Sequence, residues 1–367
     1  MYNNKITVND RNLSNLEGEI TLIKVGIIGA TGYAGSELLR LIYSHPVAKV
    51  EIIAGRSHIG EQYGQVYENF RHHGDTIQDE NLEIMASRCD VIFMALPHGL
   101  SGGKVSKAML SKTKVIDLGA DFRLSDVAVY EKWYGTRHES SDLVKEAVYG
   151  LTEIHRETIA KARLIANPGC YTTCSILALY PLLKEGVLDH QNIIIDAKSG
   201  VSGAGRVAEQ SLQFCEATES VKAYKVASHR HTPEIEEQLS LAAGEQLQLM
   251  FTPHLIPMNR GILATCYGKP KRETSVKELH EIYEDYYGKE YFIRLCKPGV
   301  FPETKWVKAS NFCDIAVAID ERTSSIIVVS ALDNLGKGAA GQAVQNMNLI
   351  FGLDEKIGLD NVPAFPV

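Results

Sequence analysis

The sequence predicts an α/β protein: a Rossmann-type, parallel-sheet dinucleotide-binding domain followed by an α+β catalytic and dimerisation domain. From Ile23, apolar strand-like runs alternate with helical stretches of ten or so residues, and a glycine-rich turn follows the first run directly. After Pro168 the alternation gives way to longer connections and β-branched strands. At 367 residues the chain also exceeds the size at which one core usually stops growing, so two domains are expected.

Residues 1–22 are rich in Asn, Asp, Glu and Lys without an apolar period, and read as a polar N-terminal extension. Residues 23–167 read as the cofactor domain. They contain a strand IKVGIIG, a helix YAGSELLRLIYS, strands VEIIAG and DVIFMALP, a helix GGKVSKAMLSK and a strand KVIDLG. Residues 168–330 read as the second domain, with strands NIIIDAK (192–198) and CDIAVAID (313–320) and an amphipathic helix in SVKELHEIYEDYY. The closing SSIIVVSALDNLGKGAAGQAVQNMNLIFG predicts a strand, a small-residue turn and a helix, with 331–367 packing back on the first domain.

Hydrophobic residues at 45%, charged residues at 23% and a formal net charge of -7 describe an ordinary globular chain with no basic surface for nucleic acid. No run approaches the roughly 18 apolar residues of a membrane span. The first 18 residues are too polar for a signal peptide, so a cytoplasmic protein is expected, with no membrane partner. Seven cysteines, an odd number without a C-x-x-C pair or a short-spaced His/Cys cluster, suit a reducing compartment and give no metal site. Cys89, Cys174, Cys215, Cys266, Cys296 and Cys313 read as small buried hydrophobes.

Gly29-Ala-Thr31-Gly32-Tyr33-Ala34-Gly35 closes the first strand and opens the first helix. Glycines there let the backbone approach a pyrophosphate, whose charge is met by free N–H groups at the helix N-terminus. The spacing G-x-x-G-x-x-G is a variant of the usual fingerprint, and a glycine-rich turn with no ligand is the alternative. After the next strand, where an NAD-binding chain carries an acid, stand Gly55-Arg56-Ser57; an arginine suits the 2′-phosphate of NADP, or is a solvated loop residue. Pro97 and His98, at the end of another parallel strand, fall where such sheets bind ligands, or form a simple turn.

Cys170 sits in ANPGCYTTCSILALYPLL, directly after Asn-Pro-Gly and at the start of a helical run. A helix N-terminus favours the thiolate, so Cys170 reads as a nucleophile, or else as a helix-start cysteine with no chemistry. Its proton partner is sought in SHRHTPEIEEQL (228–239), where His229 and His231 flank Arg230 before a helix capped by Thr232 and opened by Pro233. Either histidine can serve as the base, with Glu234 to orient an imidazole; a surface pair is the alternative. A thiolate joined to a nicotinamide cofactor points to thioester and thiohemiacetal chemistry linking an aldehyde to an activated acid.

Together GATGYAGSELLRLI, LGADFRL, ANPGCYTT, SGVSGAGR, HRHTPEI, PHLIPMNRGI and DNLGKGAAGQAVQNMN resemble the N-acetyl-gamma-glutamyl-phosphate reductase family, a relative of the aspartate-semialdehyde dehydrogenases, from about Ile23 to the C-terminus. The resemblance implies NADPH-dependent reduction of a small-molecule acyl phosphate, N-acetylglutamyl 5-phosphate, to the semialdehyde in arginine biosynthesis, by a homodimer or homotetramer. It implies Cys170 as nucleophile and the pair His229 and His231 in the acid/base role. Ser202 and Gly203 match cofactor contacts, and Asn334 matches a partner of the nicotinamide carboxamide. Arg123 and Arg206 are candidates for the substrate's carboxylate or phosphate, because guanidinium forks suit both, with structural ion pairs as the alternative; Asn167, within ANPGCYTT, is assigned to the substrate too. Strands such as NIIIDAK and CDIAVAID are expected to extend a sheet across a two-fold axis.

In the aspartate-semialdehyde enzymes the base follows a glycine in a block resembling PMNRGI, where this chain has Ile262. Ala309 stands where the family more often has glycine. The rival readings are a reductase of aspartyl or carrier-bound aminoadipyl phosphate, a thiol hydrolase on Cys170 and His231, and a non-catalytic NADP-binding regulator.

Overall fold

The computed structural model of the chain describes residues 21–364 and builds them around two seven-stranded sheets. The polar extension read over residues 1–22 lies outside the described residues as far as residue 20. The first sheet comprises β1 (Ile23–Ile28), β2 (Ala48–Ala54), β3 (Ile77–Gln78), β4 (Val91–Met94), β5 (Lys114–Asp117), β6 (Val148–Tyr149) and β7 (Leu164–Ala166). They lie in the order β3-β2-β1-β4-β5-β7-β6, every pair parallel. The central strands are apolar throughout because both faces are covered. On one side Val25, Ile27, Phe93 and Ile116 pack under the helices Tyr33–Tyr43 and Gly341–Ile350. On the other, Ile28, Ile92, Met94 and Val115 meet Met85, Met109 and Leu110.

The second sheet comprises β8 (Ile193–Gly200), β9 (Lys222–Ala223), β10 (Leu249–Ile256), β11 (Ile262–Gly268), β12 (Ile293–Leu295), β13 (Cys313–Asp320) and β14 (Ser325–Leu332), in the order β12-β13-β14-β11-β8-β10-β9. It is mixed, with β8/β10 and β12/β13 parallel and the rest antiparallel. Its inner face packs Ile195, Ala264, Ile315 and Val328 against Ile176, Leu239, Leu279 and Tyr283 from the helices Cys170–Lys184, Thr232–Ala243 and Val276–Tyr287. The outer face carries exposed Ile194 and Met250 and half-buried Ile327 and Val329.

Three local expectations are corrected. The segment GGKVSKAMLSK is not one helix: a 3-10 turn over Gly102–Lys104 stops at extended Val105, and the Ser106 hydroxyl then caps Lys107–Lys112 by accepting from Met109 N–H at 3.2 Å. The closing strand belongs to the second sheet as β14, where alternate burial fits a sheet covered on one face, and only the helix after it packs on the first sheet. NIIIDAK does not extend the sheet, because β8 is paired along both backbone edges within the chain, whereas β13 is covered by β12 only over Cys313–Ile315. Ala309 adopts φ +58, the left-handed region that favours glycine, and donates its N–H to Asp333 Oδ2 at 2.7 Å. Among the described residues no helix is long and apolar enough to cross a membrane.

Arg260, between β10 and β11, bolts the two sheets together. Its guanidinium donates to Asp333 beyond β14 (Nε to Oδ2, 2.9 Å) and to Glu37 in the helix after the glycine turn (Nη2 to Oε1, 2.9 Å; Nη1 to Oε2, 3.1 Å). Burial pushes the Glu37 carboxyl up, but hydrogen bonds and charge from Arg40 and Arg260 outweigh it and hold the group at about 2. An unfolded glutamate titrates near about 4.3, so this stabilisation is complete above that pH and is lost as pH falls toward 2. Glu37→Ala is therefore expected to cost about 3 kcal/mol at neutral pH, the usual loss when one partner of a buried pair is removed. Denaturant titrations should show the gap from the unsubstituted protein narrowing below pH 4; a pH-independent gap would assign the loss to packing instead.

Candidate active site

In a parallel sheet the carboxyl ends of all strands share one edge, and ligands bind there where the strand order reverses. Here the reversal lies between β1 and β4. The edge collects the glycine turn after β1, Gly55–Ser57 after β2, Pro97 and His98 after β4, Arg123 after β5, and Asn167–Cys170 after β7.

Gly29 has φ +82, and any side chain there would run into the Ala95 carbonyl. The turn ends on Gly32, whose helix Tyr33–Tyr43 has no side-chain cap, so the N–H groups of Tyr33, Ala34 and Gly35 have no acceptor within the helix. The loop's carbonyls are turned the other way: Tyr63 OH donates to Ala30 O at 2.9 Å, and Tyr67 OH to Thr31 O at 2.7 Å. These tyrosines, invisible in the motif, fix the loop with its donors outward. Thr31 and Ser57 bring their hydroxyls within 3.4 Å, beside exposed Arg56. Arg206 joins them, donating to Thr31 O at 3.2 Å with its guanidinium 4.7 Å from the Tyr67 ring centre. Arg206, expected at the substrate, stands over the nucleotide turn, reached from the second domain.

Cys170 is the first residue of its helix. Gly169 before it leaves room for two groups: a side chain there would sit 2.5 Å from His231 Nε2 and 2.8 Å from Arg123 Nη1. The thiol's environment departs from the simple helix-terminus argument. Burial pushes Cys170 up to about 11, outweighing the lowering from the Tyr171 amide and the Arg123 charge. Cys174 is fully buried, as are Cys266 and Cys313, but Cys215 is exposed in a short helix at Phe214–Ala217, contrary to its reading as a buried hydrophobe.

Glu234 does not orient an imidazole. Its Oε1 accepts from Tyr149 OH (2.8 Å), Thr172 Oγ1 (2.9 Å) and Gly169 N–H (3.0 Å), and its Oε2 from Arg123 Nη1 (3.3 Å), so it clamps the turn that presents the thiol. The carboxylate is turned inward because the helix begins one residue early: His231 is the N-cap and Thr232, expected to cap, is already helical. His229 packs edge-on against Tyr171, Tyr224 and Phe251, and its Nδ1 accepts the His231 N–H at 3.1 Å, which puts the neutral ring's proton on Nε2. Burial, followed by the nearby His231, brings His229 down to about 2. Burial, Arg123, Arg230 and Lys225 hold His231 well below its usual range, and its Nδ1 is buried without a partner.

Other predicted residues are already engaged. Asn167 donates to Ala339 O (3.1 Å) and accepts from Asn346 (3.1 Å), so both ends of its amide are structural rather than free for substrate. Asn334 accepts from Gly261 N–H (2.7 Å) and donates to Ser202 Oγ (2.9 Å), which ties the turn holding Ser202 and Gly203 to the end of β14. His98 meets Arg230 and lies 5.3 Å from the Tyr134 ring centre, on the side of the histidine strap. Ile262 is fully buried in β11 and provides no base.

Comparisons with known proteins agree with this architecture. Residues 24–162 match the family described as semialdehyde dehydrogenase, NAD binding domain, and residues 170–334 match semialdehyde dehydrogenase, dimerisation domain. The chain is 56% identical over 346 residues to the N-acetyl-gamma-glutamyl-phosphate reductase of Lachnoclostridium phytofermentans, covering 94% of this chain and 100% of that protein. It is 51% identical over 337 residues to the protein of that name from Campylobacter jejuni, covering 92% and 98%. Among solved structures it resembles aspartate semialdehyde dehydrogenase II of Vibrio cholerae, with a TM-score of 0.68 at 19% identity over 90% of this chain and 99% of that one. It also resembles the Candida albicans aspartate semialdehyde dehydrogenase, with a TM-score of 0.63 at 14% identity over 92% and 100%. At those identities the structural likeness speaks for the fold.

Because burial raises the Cys170 thiol, the reactive thiolate should be scarce at neutral pH and grow as pH rises. Iodoacetamide labelling, followed by mass on the Cys170 peptide to separate it from exposed Cys215, should titrate above about 8.5, the ordinary cysteine value. A midpoint below 7 would mean that the helix terminus and Arg123 dominate.

Proposed function

Since the chain belongs to the N-acetyl-gamma-glutamyl-phosphate reductase family, we infer that it reduces N-acetyl-L-glutamyl 5-phosphate to N-acetyl-L-glutamate 5-semialdehyde and phosphate, a step of arginine biosynthesis. The observation that carries the reading is the meeting of a half-buried thiol, a neutral imidazole and a glycine-turn cradle at one sheet edge.

Cys170 Sγ attacks the acyl carbon and gives its proton to a neutral imidazole. His231 fits that role better than His229: its Nε2 faces the turn before Cys170, whereas His229 has its Nδ1 lone pair engaged by a backbone N–H. The bond from acyl carbon to phosphate oxygen breaks, phosphate leaves with the pair, and a thioester remains on Cys170. A nicotinamide dinucleotide held by the glycine turn would supply the hydride that takes this thioester to a thiohemiacetal. Collapse to the aldehyde expels the Cys170 sulfur, which recovers its proton from His231. Arg123 is matched in charge by Glu234, but its Nε is buried without a partner and suits the phosphate oxygens or the oxyanion of the attack. Glu234 is a positioning residue. It fixes Gly169 and Arg123 and touches no reacting atom.

The cofactor residues fit NADP. The uncapped first turn at Tyr33–Gly35 suits the pyrophosphate, and Thr31, Arg56, Ser57 and Arg206 form a cationic, hydroxyl-lined corner for a 2′-phosphate. Ser202 and Gly203 then lie on the nicotinamide side with Asn334 behind them. Assembly is through the outer face of the second sheet, since its edges are short strands, and a homodimer or homotetramer results. Free cysteines throughout suit a cytoplasmic setting.

Running the reaction backwards tests the reading without the unstable acyl phosphate. Protein, N-acetylglutamate semialdehyde, phosphate and NADP should yield NADPH only when phosphate is present, and Cys170→Ala should lose at least about a thousandfold in rate. Folded, NADP-binding protein that forms no NADPH would overturn the reaction. In the same assay Arg56→Ala should raise the KM for NADP about tenfold or more while leaving that for NAD within about twofold. Equal effects on the two cofactors would remove Arg56 from the 2′-phosphate site.

A further inference from the structure

Among the described residues the buried and half-buried arginines are nearly all matched by carboxylates: Arg123 by Glu234, Arg156 by Glu290 and Glu355, Arg260 by Glu37 and Asp333, Arg294 by Asp314. Arg230 is different. Among the described residues no carboxylate oxygen lies within 4.0 Å of its guanidinium. It is held by neutral rings instead. Its Nη1 lies against the His98 imidazole, 3.1 Å from Nδ1, and its guanidinium carbon lies 5.5 Å from the Tyr134 ring centre. Burial and then the Arg230 charge lower His98, so that ring stays an uncharged acceptor. Such contacts aim a guanidinium without neutralising it.

Its place in the chain gives that charge a purpose. Arg230 stands between the two histidines of the strap, and its Cα is about 3.8 Å from that of His231, the group beside the thiol turn. Besides burial, the Arg230 charge acts on both imidazoles, lowering His229 and His231 alike, so the guanidinium lies within electrostatic reach of the place where the carbonyl is attacked. The substrate of the reaction above carries two anionic groups. One is the phosphate on the reacting carbonyl, for which buried Arg123 is placed. The other is the carboxylate at the far end.

Resting on that reaction, we propose that Arg230 receives the substrate's α-carboxylate and makes the enzyme selective for N-acyl amino acid substrates over acyl phosphates or aldehydes that lack it. His98 and Tyr134 are positioning residues for this guanidinium. A planar, bidentate fork recognises a carboxylate in a way a lysine does not reproduce.

The test compares two aldehydes in the phosphate-dependent oxidation: N-acetylglutamate 5-semialdehyde and 4-acetamidobutanal, the same molecule without its carboxylate. The unsubstituted enzyme should prefer the first by about 100-fold or more in kcat/KM. Arg230→Met should collapse that ratio to within about threefold of unity, Arg230→Lys should leave an intermediate ratio, and the KM for phosphate should change little. Arg230→Gln serves as a second neutral variant should the methionine protein fold poorly. If both aldehydes lose equally, Arg230 is structural and the proposal fails. If the KM for phosphate rises while the ratio holds, the guanidinium serves phosphate and the proposal fails. No turnover of the semialdehyde by the unsubstituted enzyme would overturn the reaction itself, whereas turnover with an unchanged ratio in the variants overturns only the role of Arg230.

Discussion

The carboxylate of Glu234 is the fixed point on which the site depends. It is 1% exposed, and burying a charge that deeply costs several kcal/mol unless its lone pairs are met. Four donors from three parts of the chain meet them: Arg123 after β5, Tyr149 in β6, and Gly169 and Thr172 at the start of the cysteine helix. Two of these donors open the cysteine helix and the others come from β6 and from the loop after β5, so satisfying one carboxylate aligns the edge of the first sheet, the nucleophile's helix and the histidine strap together. The strap follows because Glu234 lies in the first turn of the helix that His231 caps. A group that never meets the substrate thus sets where the thiol, the imidazole and the arginine stand.

A second fixed point works at longer range. Asp333 accepts from Arg260, from Ala309 N–H and from the N–H groups of Leu335 and Gly336, and is fully buried. Through Arg260 it reaches Glu37, one helical turn beyond Tyr33 in the helix whose N-terminus faces the crevice. The cradle on the first sheet and the turn of Asn334 and Ser202 on the second are therefore held in one frame by hydrogen-bonded charges rather than by apolar contact. This suits a crevice that must stay open to two ligands. Apolar packing closes whatever gap it can, whereas a satisfied polar network holds a defined separation.

The legible parts of this fold were those written locally. Periods of two and 3.6, the glycine turn and the small-residue closing helix mark elements whose apolar residues are close in sequence, and the two-sheet architecture follows from them. What sequence could not disclose were contacts between distant residues with no local signature. Tyr63 and Tyr67 cap the glycine loop from more than 30 residues away, and Arg206 reaches Thr31 across 175 positions. Glu234 was visible as a carboxylate three residues past a histidine, and proximity in sequence suggested an imidazole as its partner. The helix start, shifted by one residue, turned it toward Arg123 instead. Cys215 carries the same lesson: nothing in FCEA separates an exposed short helix from a buried one, because the difference lies in what packs over it.

The electrostatics of the crevice then form a consistent set. The chain is acidic overall, yet the charges acting on His231 beside the thiol turn are Arg123, Arg230 and Lys225, with Glu234 as the charge that matches Arg123. Cations and burial together keep the histidines neutral, and burial keeps the thiol protonated. A thiol and an imidazole that both resist ionisation form no stable ion pair at rest, so in the proposed reaction proton transfer accompanies bond formation to the acyl carbon. That coupling has a benefit. A resting thiolate in a crevice full of cations would be open to oxidation and to any passing electrophile. In the proposed reaction the neutral pair becomes reactive when an acyl phosphate brings its carbonyl against the sulfur, so the same cations that depress the imidazoles would also select the ligand that activates them.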